Sequence, residues 1–346
     1  MTNPTDEHSP LHSATASATN TAAPTDGPAR LAYDVQRLCD NIAVVIQGKP
    51  EVIRNAVICL LAEGHLLLED VPGTGKTSLA RALASSLEVP WHRIQFTPDL
   101  LPSDVTGVSI YNQSNGEFEF KAGPVFANVV LGDEINRASP KTQSALLEVM
   151  EEGTLSYDGV VHQLPKPFLV VATQNPIDME GTYILPEAQL DRFLMKLTVG
   201  YPTPEAEAEV LRTQKGGATI EHLKPVLSAA AVLNMINAVR QIEVAPALES
   251  YIVAIATATR AMSELRLGVS PRGSLALLRA ARASAAVQGR TYVIPEDVKQ
   301  MAPVVLAHRV ILQPEAELQG RTGLELVARA VQSVPVPRAE PGHVAL

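Results

Sequence analysis

Apolar side chains recur at helical spacing from Leu31 onward, at Leu31, Val35, Leu38, Ile42, Val45 and Ile46. A second helical pattern follows Pro50, with Val52, Ile53, Val57, Leu60 and Leu61, and Gly64 ends it. From His65 the pattern changes. The short apolar runs His65–Glu69, Arg93–Phe96, Val129–Leu131, Phe168–Ala172 and Met195–Val199 predict strands, and Lys76–Leu87 and Lys141–Glu152 predict helices between them. Strands alternating with helices predict an α/β fold with a parallel sheet covered on both faces. Beyond Tyr201-Pro202-Thr203-Pro204 almost no strand pattern is left: Glu205–Thr213, Ala229–Val239, Pro246–Met262, Pro271–Gln288 and Pro295–Arg309 all have helical spacing. The chain thus divides into an α/β domain over 31–202 and a helical domain over 203–333, with Tyr201–Pro204 as the hinge.

The total of 346 residues fits two domains of ordinary size, and 46% apolar residues suffice to fill their cores. Residues 1–30 are different. They hold one large apolar side chain, Leu11, among Thr, Ala, Ser, Pro and Asn, too little to offset the entropy of ordering, and are expected to be a disordered tail. His8 and His12 have helical metal-pair spacing with no helix to hold them and are not expected to bind metal. Residues 334–346 form a second, Pro-rich tail. The two cysteines, Cys39 and Cys59, lie among apolar residues and exclude a disulfide framework, which fits a reducing compartment. The apolar runs Asn55–Leu68 and Tyr251–Met262 are too broken to span a bilayer, and no basic and apolar leader opens the chain, so a cytoplasmic location without membrane insertion is expected. With 28 Lys and Arg against 37 Asp and Glu, the net charge of −9 argues against coating nucleic acid or anionic membrane by bulk charge.

Three segments carry chemistry. Asp70-Val71-Pro72-Gly73-Thr74-Gly75-Lys76-Thr77 follows a strand and opens a helix, the setting of a phosphate-binding loop. Gly73 and Gly75 let backbone N–H groups curl round an anion at a helix N-terminus. Lys76 is expected to reach the β- and γ-phosphates, and Thr77 to hold Mg²⁺. Asp70 stands where such loops usually start with glycine. The strand Val129–Leu131 leads through Gly132 into Asp133 and Glu134, whose side chains are expected to point apart by strand alternation: Asp133 toward Mg²⁺, Glu134 toward an attacking water as general base. Asn175, at the end of a third strand and ahead of Pro176, has an amide suited to aligning that water.

These pieces and their order resemble the AAA+ ATPases. Asp133-Glu134-Ile135-Asn136-Arg137-Ala138, Gln143–Glu148, Met150–Glu152, Glu69–Gly73, Lys121–Asn128 and Leu185–Phe193 narrow the resemblance to the MoxR family, over about residues 31–330. Asp70 is familiar there. The resemblance implies a P-loop AAA+ parallel sheet flanked by helices, followed by an all-helical lid domain, and ATP and Mg²⁺ as cofactors. It implies that Pro72, Gly73, Thr74, Gly75, Lys76, Thr77 and Ser78 bind nucleotide. Arg192, in Leu190-Asp191-Arg192-Phe193, matches the arginine finger that reaches the neighbouring subunit's nucleotide. Arg272 matches the sensor-2 arginine of the lid, acting with Lys76, Thr77, Asp133, Glu134 and Asn175 of its own chain. Arg272 also has a local argument: behind an N-cap Ser270 and Pro271 it opposes the helix dipole, which suggests an anionic partner. A homo-oligomeric ring, most often a hexamer, and a protein client, often with a von Willebrand factor A-domain partner, are implied likewise.

Two hairpins are expected near 108–121, turning at Asn115-Gly116, and over 154–164, turning at Asp158-Gly159. Both resemble the family's pore-facing inserts. The first carries only Lys121 as a base and the second none, which disfavours a grip on nucleic acid; Tyr111, Phe118 and Phe120 offer an apolar grip instead, or pack the hairpin. Four functions stay open on these residues. They are an oligomeric ATPase remodelling or maturing a protein client, its magnesium-chelatase-like variant inserting a metal, an ATP-binding scaffold or switch with little hydrolysis, and a nucleic-acid motor. Glu134 and the acidic balance favour the first.

Overall fold

The computed structural model describes residues 24, 27–175, 183, 185–208, 212 and 220–337. Most of the expected N-terminal tail with His8, Leu11 and His12, the residue Pro176, much of the expected helix Glu205–Thr213 and the end of the C-terminal tail lie outside the described residues. Helix α1 (Gly27–Ala43) begins ahead of the tail boundary expected at residue 30. Its first turn carries no apolar period; the helix is held by Leu31, Val35, Leu38 and Ile42, all buried.

After α2 (Pro50–Leu61) the chain runs β1 (Leu66–Glu69), α3 (Lys76–Ser85), β2 (Leu87–Glu88), β3 (Trp91–Gln95), α4 (Pro102–Thr106), β4 (Gly107–Asn112), β5 (Glu117–Ala122), β6 (Val129–Asp133), α5 (Pro140–Glu152), β7 (Thr154–Tyr157), β8 (Val160–Gln163), β9 (Leu169–Gln174), α6 (Glu187–Leu190) and β10 (Met195–Leu197). The five runs expected as strands form one parallel sheet in the order β10-β1-β9-β6-β3. The pleat sorts alternate side chains into two cores. Leu66, Leu68, Val129, Leu131, Leu169 and Val171 face α1, α2, α3 and the lid. Leu67, Val130 and Val170 face Leu146, Leu147 and Met150 of α5. The register sets Glu69 beside Gln174 and Gln95 beside Asp133, so the polar ends of four strands share one edge.

The lid holds β11 (Leu227–Ser228), α7 (Ala229–Arg240), α8 (Pro246–Arg260), β12 (Leu265–Leu267), α9 (Pro271–Val287), α10 (Pro295–Leu306), β13 (Ile311–Leu312), α11 (Pro314–Leu318) and α12 (Gly323–Ser333). Ser270 caps α9, accepting from Gly273 N–H at 3.3 Å, as its position before Pro271 predicts. Helices carry the lid, with two small additions. β11 pairs in parallel with β2 of the first domain, and β12 pairs antiparallel with β13. Strands this short have no period to read. The helix expected to reach Arg309 ends at Leu306, and Ala307–Arg309 tightens into a 3₁₀ turn. The lid docks on the end of α2: Arg279 Nε donates to the Ala62 carbonyl at 3.1 Å, and Arg240 grips Glu63 with two bonds of 2.8 and 2.7 Å. Carbonyls that α2 leaves without helical partners are satisfied in this way.

Both hairpins form where expected, β4 with β5 and β7 with β8. Asp158 and Gly159 both have positive φ, the pair of left-handed residues that a tight hairpin turn requires. Of the two roles open to Phe120, grip or packing, it takes packing. Its ring stacks on His162 at 4.4 Å and tilts against Tyr157 at 5.2 Å, binding the two hairpins into one unit. Tyr111 and Phe118, cross-strand partners with ring centroids 5.3 Å apart, remain exposed.

His65 stitches the sheet to α5. Its Nδ1 accepts from Val170 N–H at 3.0 Å, and Nε2 donates to the Met150 carbonyl at 2.9 Å. Burial pushes its pKa down to about 4 from the ordinary 6.5. A histidine so depressed is protonated first in the unfolded chain, so stability is full above about 6.5 and declines as pH falls toward about 4. The thermal midpoint should therefore drop between about pH 7 and about pH 5. His65→Gln should start lower at neutral pH and show a shallower slope in the same scan; an undiminished slope would assign the acid sensitivity to other groups.

Candidate functional site

The loop between β1 and α3 is shaped by two glycines. Gly73 (φ 83°) and Gly75 (φ 90°) adopt left-handed backbone, and a Cβ at either would meet nothing within 4 Å. They are needed for conformation and leave open space in which N–H groups can meet an anion. Asp70, in the usual glycine position, is buried. One oxygen accepts from Val71 N–H at 2.8 Å and the other from Gly200 N–H, tying the loop to the chain that leads into the lid. Lys76 Nζ donates to the carbonyls of Asp70 and Val71, and burial lowers its pKa. Thr74 is buried, its hydroxyl donating to the Val71 carbonyl at 3.1 Å; it braces the loop.

Asp133, at the end of β6, is only 2% exposed. Its Oδ1 accepts from the hydroxyls of Thr77 (3.0 Å) and Thr173 (3.1 Å), and its Oδ2 from Arg93 Nε (2.7 Å). Glu134 diverges from it for a reason other than strand alternation. The strand stops at Asp133, and Glu134 takes left-handed backbone (φ 56°, ψ 51°), rare for a residue with a side chain and a mark of functional sites. Its N–H donates to Thr173 Oγ1 at 3.0 Å. Its carboxylate accepts from Arg137 Nη1 at 2.9 Å and Gln95 Nε2 at 3.4 Å, at the rim of the cleft.

Pro72, Gly73, Gly75, Lys76, Thr77, Ser78, Asp133, Glu134 and Asn175 surround one cavity of about 350 Å³, together with Arg93, Gln95, Thr173 and Gln174. A larger hollow of about 480 Å³ lies between α1 and the lid, lined by Leu31, Met235, Ala238 and Ile242 with Arg30 and Arg290 beside them, the two arginines paired with Asp34 and Asp297. The motifs read from the sequence give no role to Arg93, Gln95, Thr173, Gln174 or Arg137. The alternation Arg93-Ile94-Gln95-Phe96 was the available signal for the first two, since polar side chains two apart on a strand share a face. The cavity fits a nucleotide with a divalent cation. The glycine cradle faces Lys76, and the Thr77 hydroxyl beside the Asp133 carboxylate is the hard-oxygen pair that Mg²⁺ takes alongside phosphate and water. Among the described residues no cluster of three or more His, Cys, Asp or Glu is found.

Arg192 and Arg272 do not line this cavity. Arg192 Nε lies 3.2 Å from Glu151, and Arg272 pairs with Glu151 at 2.8 Å and Asp191 at 3.7 Å. Glu151 follows Met150, which His65 binds at the N-terminal end of β1, whereas the phosphate loop leaves the C-terminal end. The strand between spans about 13 Å. The expectation that Arg272 serves the phosphate loop of its own chain is thereby corrected. The lid rests on the ends of α2 and α5, which places the start of α9 with Arg192 at the other edge of the sheet.

A family model described as the ATPase family associated with various cellular activities (AAA) matches residues 65–195, and an AAA lid domain model matches residues 257–330. The chain is 42% identical over 328 residues to Chaperone MoxR1 of Mycobacterium tuberculosis, covering 91% of this chain and 86% of that protein. It is 51% identical over 298 residues to YeaC of Bacillus subtilis, an uncharacterized protein, covering 86% of this chain and 93% of YeaC. A crystal structure of a presumed ATPase from Cytophaga hutchinsonii superposes with a TM-score of 0.83 at 39% identity, covering 90% of this chain and 97% of that one. With sheet, lid and phosphate loop in the matching arrangement, the chain belongs to the MoxR family of AAA+ ATPases.

Proposed function

We propose that this protein binds and hydrolyses ATP at the cleft between the phosphate loop and Asp133-Glu134, and that it does so as a head-to-tail ring, most simply a hexamer, which remodels or matures protein clients in the cytoplasm. The observation that carries the proposal is the separation of two half-sites in one chain. Phosphate loop, Asp133 and Glu134 occupy one edge of the sheet, and Arg192 with Arg272 the other. In a heterologous ring every interface joins one of each.

In that composite site the Gly73–Gly75 backbone and Lys76 hold the phosphates, Lys76 exchanging its carbonyl partners for phosphate oxygens. Thr77 and Asp133 would hold Mg²⁺, which would supply positive charge against the phosphates. Glu134, released from Arg137, accepts the proton of a water that Asn175 orients. The water oxygen bonds to the γ-phosphorus as the bond to the β,γ-bridging oxygen breaks, giving ADP and phosphate. Arg192 and Arg272 of the next subunit offset the charge of the transferring group.

The hairpin unit supports a protein client. Its exposed apolar side chains are Val108, Ile110, Tyr111 and Phe118 on one hairpin and Val160 and Val161 on the other, with the carboxylates Glu117 and Glu119 beside them and Lys121 near its foot. An apolar surface of this kind grips unfolded or loosely folded polypeptide, with a von Willebrand factor A-domain protein as a further partner; a phosphate-tracking surface would be lined with cations. Among the described residues no helix is long and apolar enough to cross a membrane.

Removing the general base should lower turnover without removing binding. Glu134→Gln is expected to cut phosphate release by about 10²–10⁴-fold while a fluorescent ATP analogue still binds with near-wild-type affinity; undiminished release would remove Glu134 as the base. Arg192→Ala should also keep nucleotide affinity and lose turnover by about a thousandfold. Wild-type specific activity should rise with protein concentration in step with particle mass read by light scattering. Activity that is independent of concentration and indifferent to Arg192 would leave a single-chain site.

A further inference from the structure

Arg309 belongs to the lid, in the 3₁₀ turn after α10, yet most of its partners belong to the segment that carries Arg192. Its Nε donates to Asp191 Oδ1 at 2.7 Å, Nη2 to the carbonyls of Asp191 (3.1 Å) and Phe193 (2.6 Å), and Nη1 to the carbonyls of Leu194 (3.0 Å) and Val305. Nη1 also lies 2.8 Å from His308 Nε2, so the five N–H bonds of the guanidinium face six partners. Four of the six bracket Arg192 on both sides. The neighbouring His308, kept neutral by burial and by the charge of Arg309, sets its Nε2 3.0 Å from the same Phe193 carbonyl.

The same side chain supports Arg272. A Cβ at Gly273, the next residue, would come within 3.2 Å of Arg309 Cδ, so the start of α9 lies directly on the stem of Arg309. Asp191 joins the two cations, taking Arg309 on one oxygen and approaching Arg272 at 3.7 Å with the other. Glu151 then joins Arg272 to Arg192. Three guanidiniums and two carboxylates form one chain, Arg309–Asp191–Arg272–Glu151–Arg192, with one positive charge in excess.

We infer that Arg309, with Asp191, is the positioning residue that fixes Arg192 and Arg272 as a single unit attached to the lid, an inference that rests on the shared site proposed above. Arg309 itself has no donor left for phosphate, and its side chain is 3% exposed. It acts through the finger segment: wherever the lid moves, the arginine pair serving the next subunit moves with it. Burial lowers its pKa to about 10, opposed by Asp191, so it stays charged at neutral pH. Lysine, with three donors and no planar fork, cannot bracket Arg192 in the same way.

The test is complementation in co-assembled rings. Arg309→Lys and Asp191→Asn should each lower kcat by at least about tenfold with KM and nucleotide affinity unchanged, the pattern of a group needed only in the transition state. Lys76→Ala removes a subunit's own phosphate grip and leaves its arginine unit intact. In equimolar mixtures with Lys76→Ala, half of the variant's sites meet an intact arginine unit, so turnover should return to about a quarter of wild type. Arg192→Ala mixed with Lys76→Ala is the control. If the control recovers and both Arg309→Lys and Asp191→Asn mixtures stay inactive, the two residues serve their own subunit's fold and the inference is overturned. Wild-type turnover in Asp191→Asn alone overturns it equally. If the control itself fails to recover, the shared site is wrong, a separate failure.

Discussion

A carboxylate buried to the extent of Asp133 is tolerated only when its oxygens are matched by donors. Its donors come from three places: Thr77 at the start of α3, Thr173 near the end of β9, and Arg93 on β3. None of them is adjacent to it in sequence. Strand order, the β1–α3 turn and the edge strand must all be in place before the charge is satisfied. The constraint that stabilises the fold is thus the one that assembles the cleft. It also explains why Thr77 and Arg93 look toward the same point: each is a partner of Asp133 first, and a neighbour of whatever binds there second.

Much of this was legible in the sequence. Leu66-Leu67-Leu68, Val129-Val130-Leu131 and Leu169-Val170-Val171 are apolar on both faces, which only a doubly covered strand requires, while the edge strands β3 and β10 show as short runs with one apolar face. Gly73, Gly75, Lys76 and Thr77 declare their role by their position between a strand and a helix. The unread parts depend on distance along the chain or on backbone torsion. The left-handed turn at Glu134 has no glycine to announce it. Arg309 is separated from Asp191 by most of the lid, and at a helix end it reads as an ordinary basic residue facing the dipole. The tie from Asp70 to Gly200, and the pairing of Arg192 and Arg272 on Glu151, likewise need the tertiary fold before they mean anything.

The hairpins show how identical chemistry divides by position. Tyr111, Phe118 and Phe120 lie on one ribbon, two of them on β5 two residues apart and so on one face of it. The second hairpin crosses under Phe120 and half-buries it against Tyr157 and His162, while Phe118 lies beyond the contact and stays in solvent. The exposed aromatic pair is therefore carried on a support that is itself aromatic, so the ribbon that presents it is stiffened at its base by stacking worth roughly 0.5–1.5 kcal/mol for each contact.

The lid is anchored at two points, one on the phosphate loop and one on the segment that carries Arg192. At its entry the chain passes Gly200, whose N–H is held by Asp70 of the phosphate loop. Near its far end Arg309 holds the backbone on either side of Arg192. Between them the lid shares one continuous apolar core with α1, α2 and α3, so it is not free to answer one anchor without straining the other. In the ring proposed above, Arg192 and Arg272 would serve the next site, so that each subunit would take up nucleotide at its loop and complete its neighbour's site with its finger segment.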